Sequence, residues 1–181
     1  MKIAAFDLSL TQTGYAVVDT NWAVRQALVG VVRTSLTGMA RLDHVRKQVM
    51  QRVEGADAVV LEGYSYGQRA GTSQAHSTGE LGGVIRLSLW RANIPFVDIA
   101  PTKLKKYATG SGKGGKHGPL VEAVKRLGYD GSNDNEADAL WLLHMGLDAY
   151  GLGWAKLPEA HREALQGVAW PALAGRVPAH A

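Results

Sequence analysis

The run Ala58-Val59-Val60-Leu61-Glu62 is four apolar residues without polar alternation, closed by an acid. A strand with one wet face alternates apolar and polar residues, so this one reads as a central strand buried on both faces. Helices must then cover the sheet on each side. Upstream, from Gly38 to Glu54, the apolar residues Met39, Leu42, Val45, Val49 and Val53 recur at three and four, as on one helix face. Further upstream, Lys2 to Leu8, Gly14 to Asp19 and Ala27 to Thr34 read as strands. Their short polar links, Ser9-Leu10-Thr11-Gln12-Thr13 and Asp19-Thr20-Asn21, predict an antiparallel meander. Downstream, a Gly-, Ser- and Tyr-rich loop from Gly63 to Thr72 leads to a helix from about Ala75 to Ala92 and a strand from Pro95 to Ile99. Strand, helix, strand, helix, strand implies parallel neighbours.

Helices follow. Pro101 to Tyr107 reads as a short helix, Thr109 to Gly118 as a glycine-rich loop, and Pro119 at a first helical position opens Leu120 to Leu127. Asn133 with Glu136 predicts a capping box for a helix from Asp134 to about Tyr150, and a last short helix is expected around Pro158 to Gln166. The organisation is one α/β domain over 1–150 and a C-terminal extension over 151–181. Its βββαβαβ order predicts a mixed five-stranded sheet, three strands antiparallel and two parallel, flanked by helices. That is the arrangement of the ribonuclease H-like fold.

At 181 residues, 46% hydrophobic and 20% charged, the chain is long enough to bury one proper core. Cysteine is absent, which excludes disulfides, thiolate metal sites and thiol nucleophiles. Any metal must be held by oxygen or imidazole. The N-terminus lacks the order of a signal peptide, and the most apolar long stretch, Ala137 to Ala155, carries Asp138, His144 and Asp148. A membrane span is therefore not expected, and a cytoplasmic location is. Net charge is +4 with pI near 9.4. The charge is concentrated: Lys103, Lys105, Lys106, Lys113, Lys116, Lys125 and Arg126 stand against Glu122 alone. A basic patch on a faintly acidic body is a footprint of phosphate binding.

Three acids carry the chemistry. Asp7 closes the first strand and Glu62 the fourth, so if these strands are neighbours both carboxylates meet at one sheet edge. Asp138 lies in an otherwise apolar helix, with Asp134 and Asn135 four and three residues upstream and able to share its face. Carboxylates held near 5 Å repel by roughly 3 kcal/mol per pair at an effective dielectric of 20. Divalent cations remove that penalty, and oxygen ligands favour Mg²⁺ or Mn²⁺ over zinc. Two such ions about 4 Å apart clamp the attacking and leaving oxygens of a phosphodiester. The acids thus point to two-metal hydrolysis of nucleic acid.

Four segments in order resemble the RuvC family of Holliday-junction resolvases, particularly its bacteriophage-type members. They are Phe6-Asp7-Leu8-Ser9-Leu10-Thr11-Gln12-Thr13-Gly14, Leu61-Glu62-Gly63-Tyr64-Ser65-Tyr66-Gly67, Pro101-Thr102-Lys103-Leu104-Lys105-Lys106-Tyr107-Ala108-Thr109-Gly110, and Asn135-Glu136-Ala137-Asp138-Ala139-Leu140. The resemblance implies a homodimeric endonuclease that binds a four-way DNA junction and nicks two opposed strands with two Mg²⁺ ions per site, Mn²⁺ able to substitute. Asp7, Glu62 and Asp138 match three of the family's four metal-binding acids. The fourth position is Asn135, which ligates through its amide oxygen or yields to Asp134 beside it. Lys116, with Lys113 near it, matches a basic loop whose lysine acts close to the scissile phosphate. Tyr64 and Tyr66 match a loop bearing an aromatic wedge. Arg69, Lys103, Lys105 and Lys106 complete the DNA-binding set, and the helix from Gly79 to Trp90 resembles the family's dimer surface.

Other readings remain open at this point. The first hairpin also resembles that of sugar kinases and actin-like ATPases, which need two such domains. Gly110, Gly115 and Lys116 fit a phosphate-cradling loop, but His117 stands where Ser or Thr should hold magnesium, so no nucleotide cofactor is expected. A noncatalytic junction-binding protein is the alternative that Asn135 favours. A ribonuclease H-type nuclease acting on hybrids or branched DNA is another.

Overall fold

The computed structural model describes residues 1–21, 27–64, 73–112, 115 and 117–173, with backbone only over 73–78. The five strands are β1 (Lys2–Asp7), β2 (Gln12–Asp19), β3 (Leu28–Arg33), β4 (Ala58–Glu62) and β5 (Phe96–Ile99). They form one sheet in the order β3-β2-β1-β4-β5. The meander β1-β2-β3 is antiparallel, while β1, β4 and β5 run parallel, as the sequence predicts. Parallel crossovers need helices. These are α1 (Gly38–Arg52) between β3 and β4, and α2 (Ser73–Arg91) between β4 and β5. After β5 come α3 (Pro101–Thr109), α4 (Gly118–Leu127), α5 (Asp134–Ala149) and α6 (Glu159–Arg162), which runs into a 3₁₀ turn at Glu163–Leu165.

Each sheet face has its own core. On one, Ala4, Phe6, Val59 and Leu61 pack with Leu42, Val45 and Val49 of α1 and Leu81, Ile85 and Leu89 of α2. On the other, Ile3, Ala5 and Val60 meet α3, α4 and α5. Helix α5 is buried on all sides from Ala139 to Ala149, as an apolar helix between a sheet and further helices must be. Its start docks on β2, where a Cβ added at Gly14 would overlap the Asn135 carbonyl. Only glycine permits that approach.

Two local expectations are corrected. Met39 does not join the core but is 75% exposed, because it sits in the first turn of α1, ahead of the first buried residue, Leu42. The capping box forms by half: the Asn133 side chain accepts from the backbone N–H groups of Asn135 and Glu136. Glu136 does not reach back. Its carboxylate accepts from the Tyr129 hydroxyl at 2.6 Å, and that hydroxyl oxygen accepts from the Asn133 N–H at 3.2 Å. Tyr129 relays the return bond.

The segment after α5 turns back over α3. Ala164, Leu165, Val168 and Trp170 are buried in the α5-side core. Beneath them lies a polar chain. The Ala155 N–H donates to His144 Nε2 at 3.0 Å, so the proton of the neutral ring is on Nδ1, which faces the Tyr107 hydroxyl at 2.8 Å. That hydroxyl donates to Asp148 at 2.9 Å, and Asp148 accepts two bonds from Arg162 at 3.0 and 3.1 Å. Burial pushes the His144 pKa down to about 4, in keeping with a neutral ring. No helix among the described residues is long and apolar enough to cross a membrane.

Candidate active site

Register decides where the acids stand. Phe6 pairs with Leu61 across β1 and β4, so the next residues, Asp7 and Glu62, leave the sheet side by side at one edge. Asp7 is only 8% exposed, and its carboxyl lies within hydrogen-bonding reach of that of Glu62. Burial raises the Asp7 pKa. It raises that of Glu62 well above the ordinary carboxylate range, with the negative charges of Asp7 and Asp138 adding to the effect. Asp138, in the second turn of α5, is pushed up to about 7 by burial, then by Asp7 and Asp134. Four acids from β1, β4 and α5 thus share one electrostatic environment.

Lys105 is the cation in that environment, since its charge lowers the pKa of both Glu62 and Asp138. Helix α3 leaves β5 at the same sheet edge that β4 leaves with Glu62, which places Lys105 on an element that starts beside the acids. Asp134 lies at the rim, its carboxylate 3.1 Å from Nδ1 of His117. Sequence reasoning placed Lys105 only among DNA contacts and gave His117 no role. The signal available for Lys105 was its position in the helix that directly follows the strand beside Glu62.

Asn135 is differently engaged. Its side-chain amide donates to the Gln12 carbonyl at 2.7 Å, while Asn133 donates to the Gln12 side chain at 3.2 Å. Together they tie the start of α5 to the first hairpin. Other candidates also have partners within the chain. Lys103 donates to the carbonyls of Gln166 at 2.6 Å and Ala164 at 3.3 Å, and Lys106 pairs with Glu163 at 2.6 Å. Lys125 and Arg126 pair with Glu122. Tyr64 is half-buried, its ring 4.3 Å from the Arg86 guanidinium, which Asp98 holds in a forked ion pair. Tyr66, Arg69, Lys113 and Lys116 lie outside the described residues.

The donor set suits a hard divalent cation: oxygen only, buried at Asp7 and half-buried at Glu62, Asp134 and Asp138, and mutually repelling until a positive charge or protons intervene. Among the described residues no three Asp, Glu or His groups are drawn around one ion-sized point. Binding an ion therefore requires the carboxyl oxygens to draw closer together around it.

Residues 3–143 match the family model described as crossover junction endodeoxyribonuclease RuvC. The chain belongs to the RuvC family. It is 29% identical over 148 residues to the crossover junction endodeoxyribonuclease RuvC of Prochlorococcus marinus (strain MIT 9303), spanning 77% of this chain and 94% of that protein. The fold is similar to that of Thermus thermophilus RuvC, with TM-score 0.65 and 20% identity over 86% of this chain and all of that one. It is similar too to T. thermophilus RuvC in complex with Holliday junction substrate, with TM-score 0.63 and 24% identity over 79% and 90% of the two chains. The ribonuclease H-like fold expected from the strand order is thus the fold of the RuvC family.

Proposed function

We propose that this protein is a homodimeric crossover junction endodeoxyribonuclease that resolves four-way DNA junctions by paired symmetric nicks, with two Mg²⁺ ions at each active site. The observation that carries the reading is the meeting of Asp7, Glu62 and Asp138 at one sheet edge, within the field of Lys105, in a chain of the RuvC family. Asp7, Glu62, Asp138 and Asp134 would hold the ions. Bound there, the ions would supply an acidified water and positive charge for the departing oxygen. Lys105, and Lys116 from the loop after α3, hold the scissile phosphate and offset charge that develops on it. His117 orients Asp134. A junction has equivalent opposed strands, so a two-fold dimer with two sites cuts both and leaves two duplexes.

A cleavage assay on a four-way junction, a flap, linear duplex and an RNA–DNA hybrid, with and without Mg²⁺, tests this. Paired nicks on the junction alone are expected. Junction binding without cleavage would instead mark a noncatalytic binder, and preferred cutting of the hybrid a ribonuclease H-type enzyme.

Because Lys103, Lys106, Lys125 and Arg126 have partners inside the chain, the DNA face rests on Lys105, Lys113 and Lys116. Three phosphate contacts per protomer imply a slope of log affinity against log salt of about −5 for a dimer. Fluorescence anisotropy over a salt series gives the slope, and a value near zero would remove this surface from DNA binding.

The raised carboxylate pKa values have a second consequence. A carboxyl whose folded pKa lies above its unfolded value contributes stability that is present below about pH 4 and is lost as pH rises through the folded value, about 7 for Asp138. The cation-free site is thus increasingly unfavourable toward neutral pH, and a cation relieves it. The rise in melting temperature on adding Mg²⁺ is expected to be several degrees at pH 8 and close to zero at pH 5, as read by differential scanning fluorimetry. Equal shifts at both values would place the ion elsewhere.

A further inference from the structure

Helix α3 is held from outside by a segment that lies beyond the family match at residues 3–143. Four contacts grip it. Arg162 forks onto Asp148, which accepts the Tyr107 hydroxyl. His161 Nδ1 meets the Tyr107 backbone carbonyl at 2.7 Å, one of the last carbonyls of α3 and without a partner inside the helix. Lys103 donates to the carbonyls of Ala164 and Gln166, and Lys106 pairs with Glu163. At 100° per residue, Lys103, Lys106 and Tyr107 occupy one side of α3, and Lys105 projects from the other. The segment therefore grips the face opposite the one that carries Lys105.

The grip also reaches the helix end. Gly110 caps α3 in the left-handed conformation, φ 75°, and a Cβ added there would come within 2.8 Å of His161 Nε2. His161 is itself buried. It sits against the residue from which the glycine-rich loop sets out.

We propose that residues 151–173 form a strap that positions α3, with Arg162 and His161 as the positioning residues that set Lys105 against the acid cluster and fix the origin of the basic loop at Gly110. Neither residue belongs to the acid cluster or to the candidate DNA contacts. Their effect passes through α3, and its catalytic part rests on the junction-nicking reading above. Lys103 and Lys106, though basic, belong to the strap's attachment. A segment that served only to cover apolar surface would not need a fork, a carbonyl cap and two lysine anchors on one side of a nine-residue helix.

The test uses the full chain with Arg162→Ala, His161→Ala and the milder His161→Gln, whose amide can still donate to the Tyr107 carbonyl. Amide hydrogen exchange of residues 101–109 in cation-free protein is expected to accelerate at least tenfold in Arg162→Ala and His161→Ala, with β1 and β4 unchanged. His161→Gln should recover most of the protection. In single-turnover nicking with Mg²⁺, Arg162→Ala should lower the rate 10- to 30-fold, while junction affinity measured in Ca²⁺ changes less than threefold. Combined with Lys105→Ala it should be no slower, within twofold, than Lys105→Ala alone, because both act at one place. Unchanged exchange in α3, or rate losses that multiply, would overturn the strap. If the wild-type protein cuts no branched DNA, the functional reading fails, and the exchange arm alone upholds or overturns the positioning of α3. If Arg162→Ala does not fold, the His161→Ala and His161→Gln pair decides by the same criteria.

Discussion

Asp7→Asn is expected to slow junction nicking by about four orders of magnitude, some 5 kcal/mol of transition-state stabilisation, while junction affinity stays within tenfold. The change is isosteric, and the new amide can donate to the Glu62 carboxyl beside it, so the pair loses a charge without losing its contact. What is lost is the negative charge that would draw a cation to the edge of β1 and β4. The proposed function assigns phosphate contacts to Lys105, Lys113 and Lys116 instead, so binding is expected to survive. Asp138→Asn should behave alike, since its carboxyl shares the same environment. Single-turnover nicking in Mg²⁺ beside anisotropy in Ca²⁺ separates the two quantities. Wild-type rates in either variant would sink the assignment of these acids.

The second large effect divides neighbouring residues. Asp134→Asn is expected to cut the nicking rate about 100-fold with little change in stability. Asn135→Ala should lower stability by about 1–3 kcal/mol and leave the rate of the folded protein within fivefold. Asp134 reaches the cluster electrostatically and is bonded to His117, whereas the Asn135 amide is spent on the Gln12 carbonyl. Removing it strands that carbonyl and loosens the start of α5. Urea denaturation and nicking rates measured on both variants check the division. The reverse pattern would make Asn135 the ligand, as its spacing before Asp138 predicts. Asn135→Asp, which restores the usual acid of the family, places an acceptor against Gln12. It should therefore gain stability on adding Mg²⁺ more than the wild type does.

Much of this was legible before any coordinates. An unalternating Val59-Val60-Leu61 run can only be a covered strand, and an acid at its exit next to Asp7 follows from parallel pairing. Asp138 stood out because a charge in an apolar helix needs a partner. The directions of long side chains were not legible. Lys103, Lys105 and Lys106 are alike in composition, yet they divide between strap and acids because the C-terminal segment covers one side of α3, a tertiary fact with no periodic signature. For Tyr64 the sequence leaves a stacking wedge and packing under the loop equally open, and it gives no sign that Arg86, 22 residues on, lies against the ring. Tyr129 as relay for the α5 cap escaped notice for the same reason, since a helix-start motif looks only a few residues ahead.

The docking of α5 on β2 at Gly14 has a consequence for the protein's synthesis. Asp138 is made 131 residues after Asp7, and the α5-side core cannot close until α5 has left the ribosome. A growing chain that has only its meander and β4 carries two of the acids, but lacks the helix that covers Ile3, Ala5 and Val60. The three acids are therefore brought together only in the step that seats α5 on the sheet and completes this core.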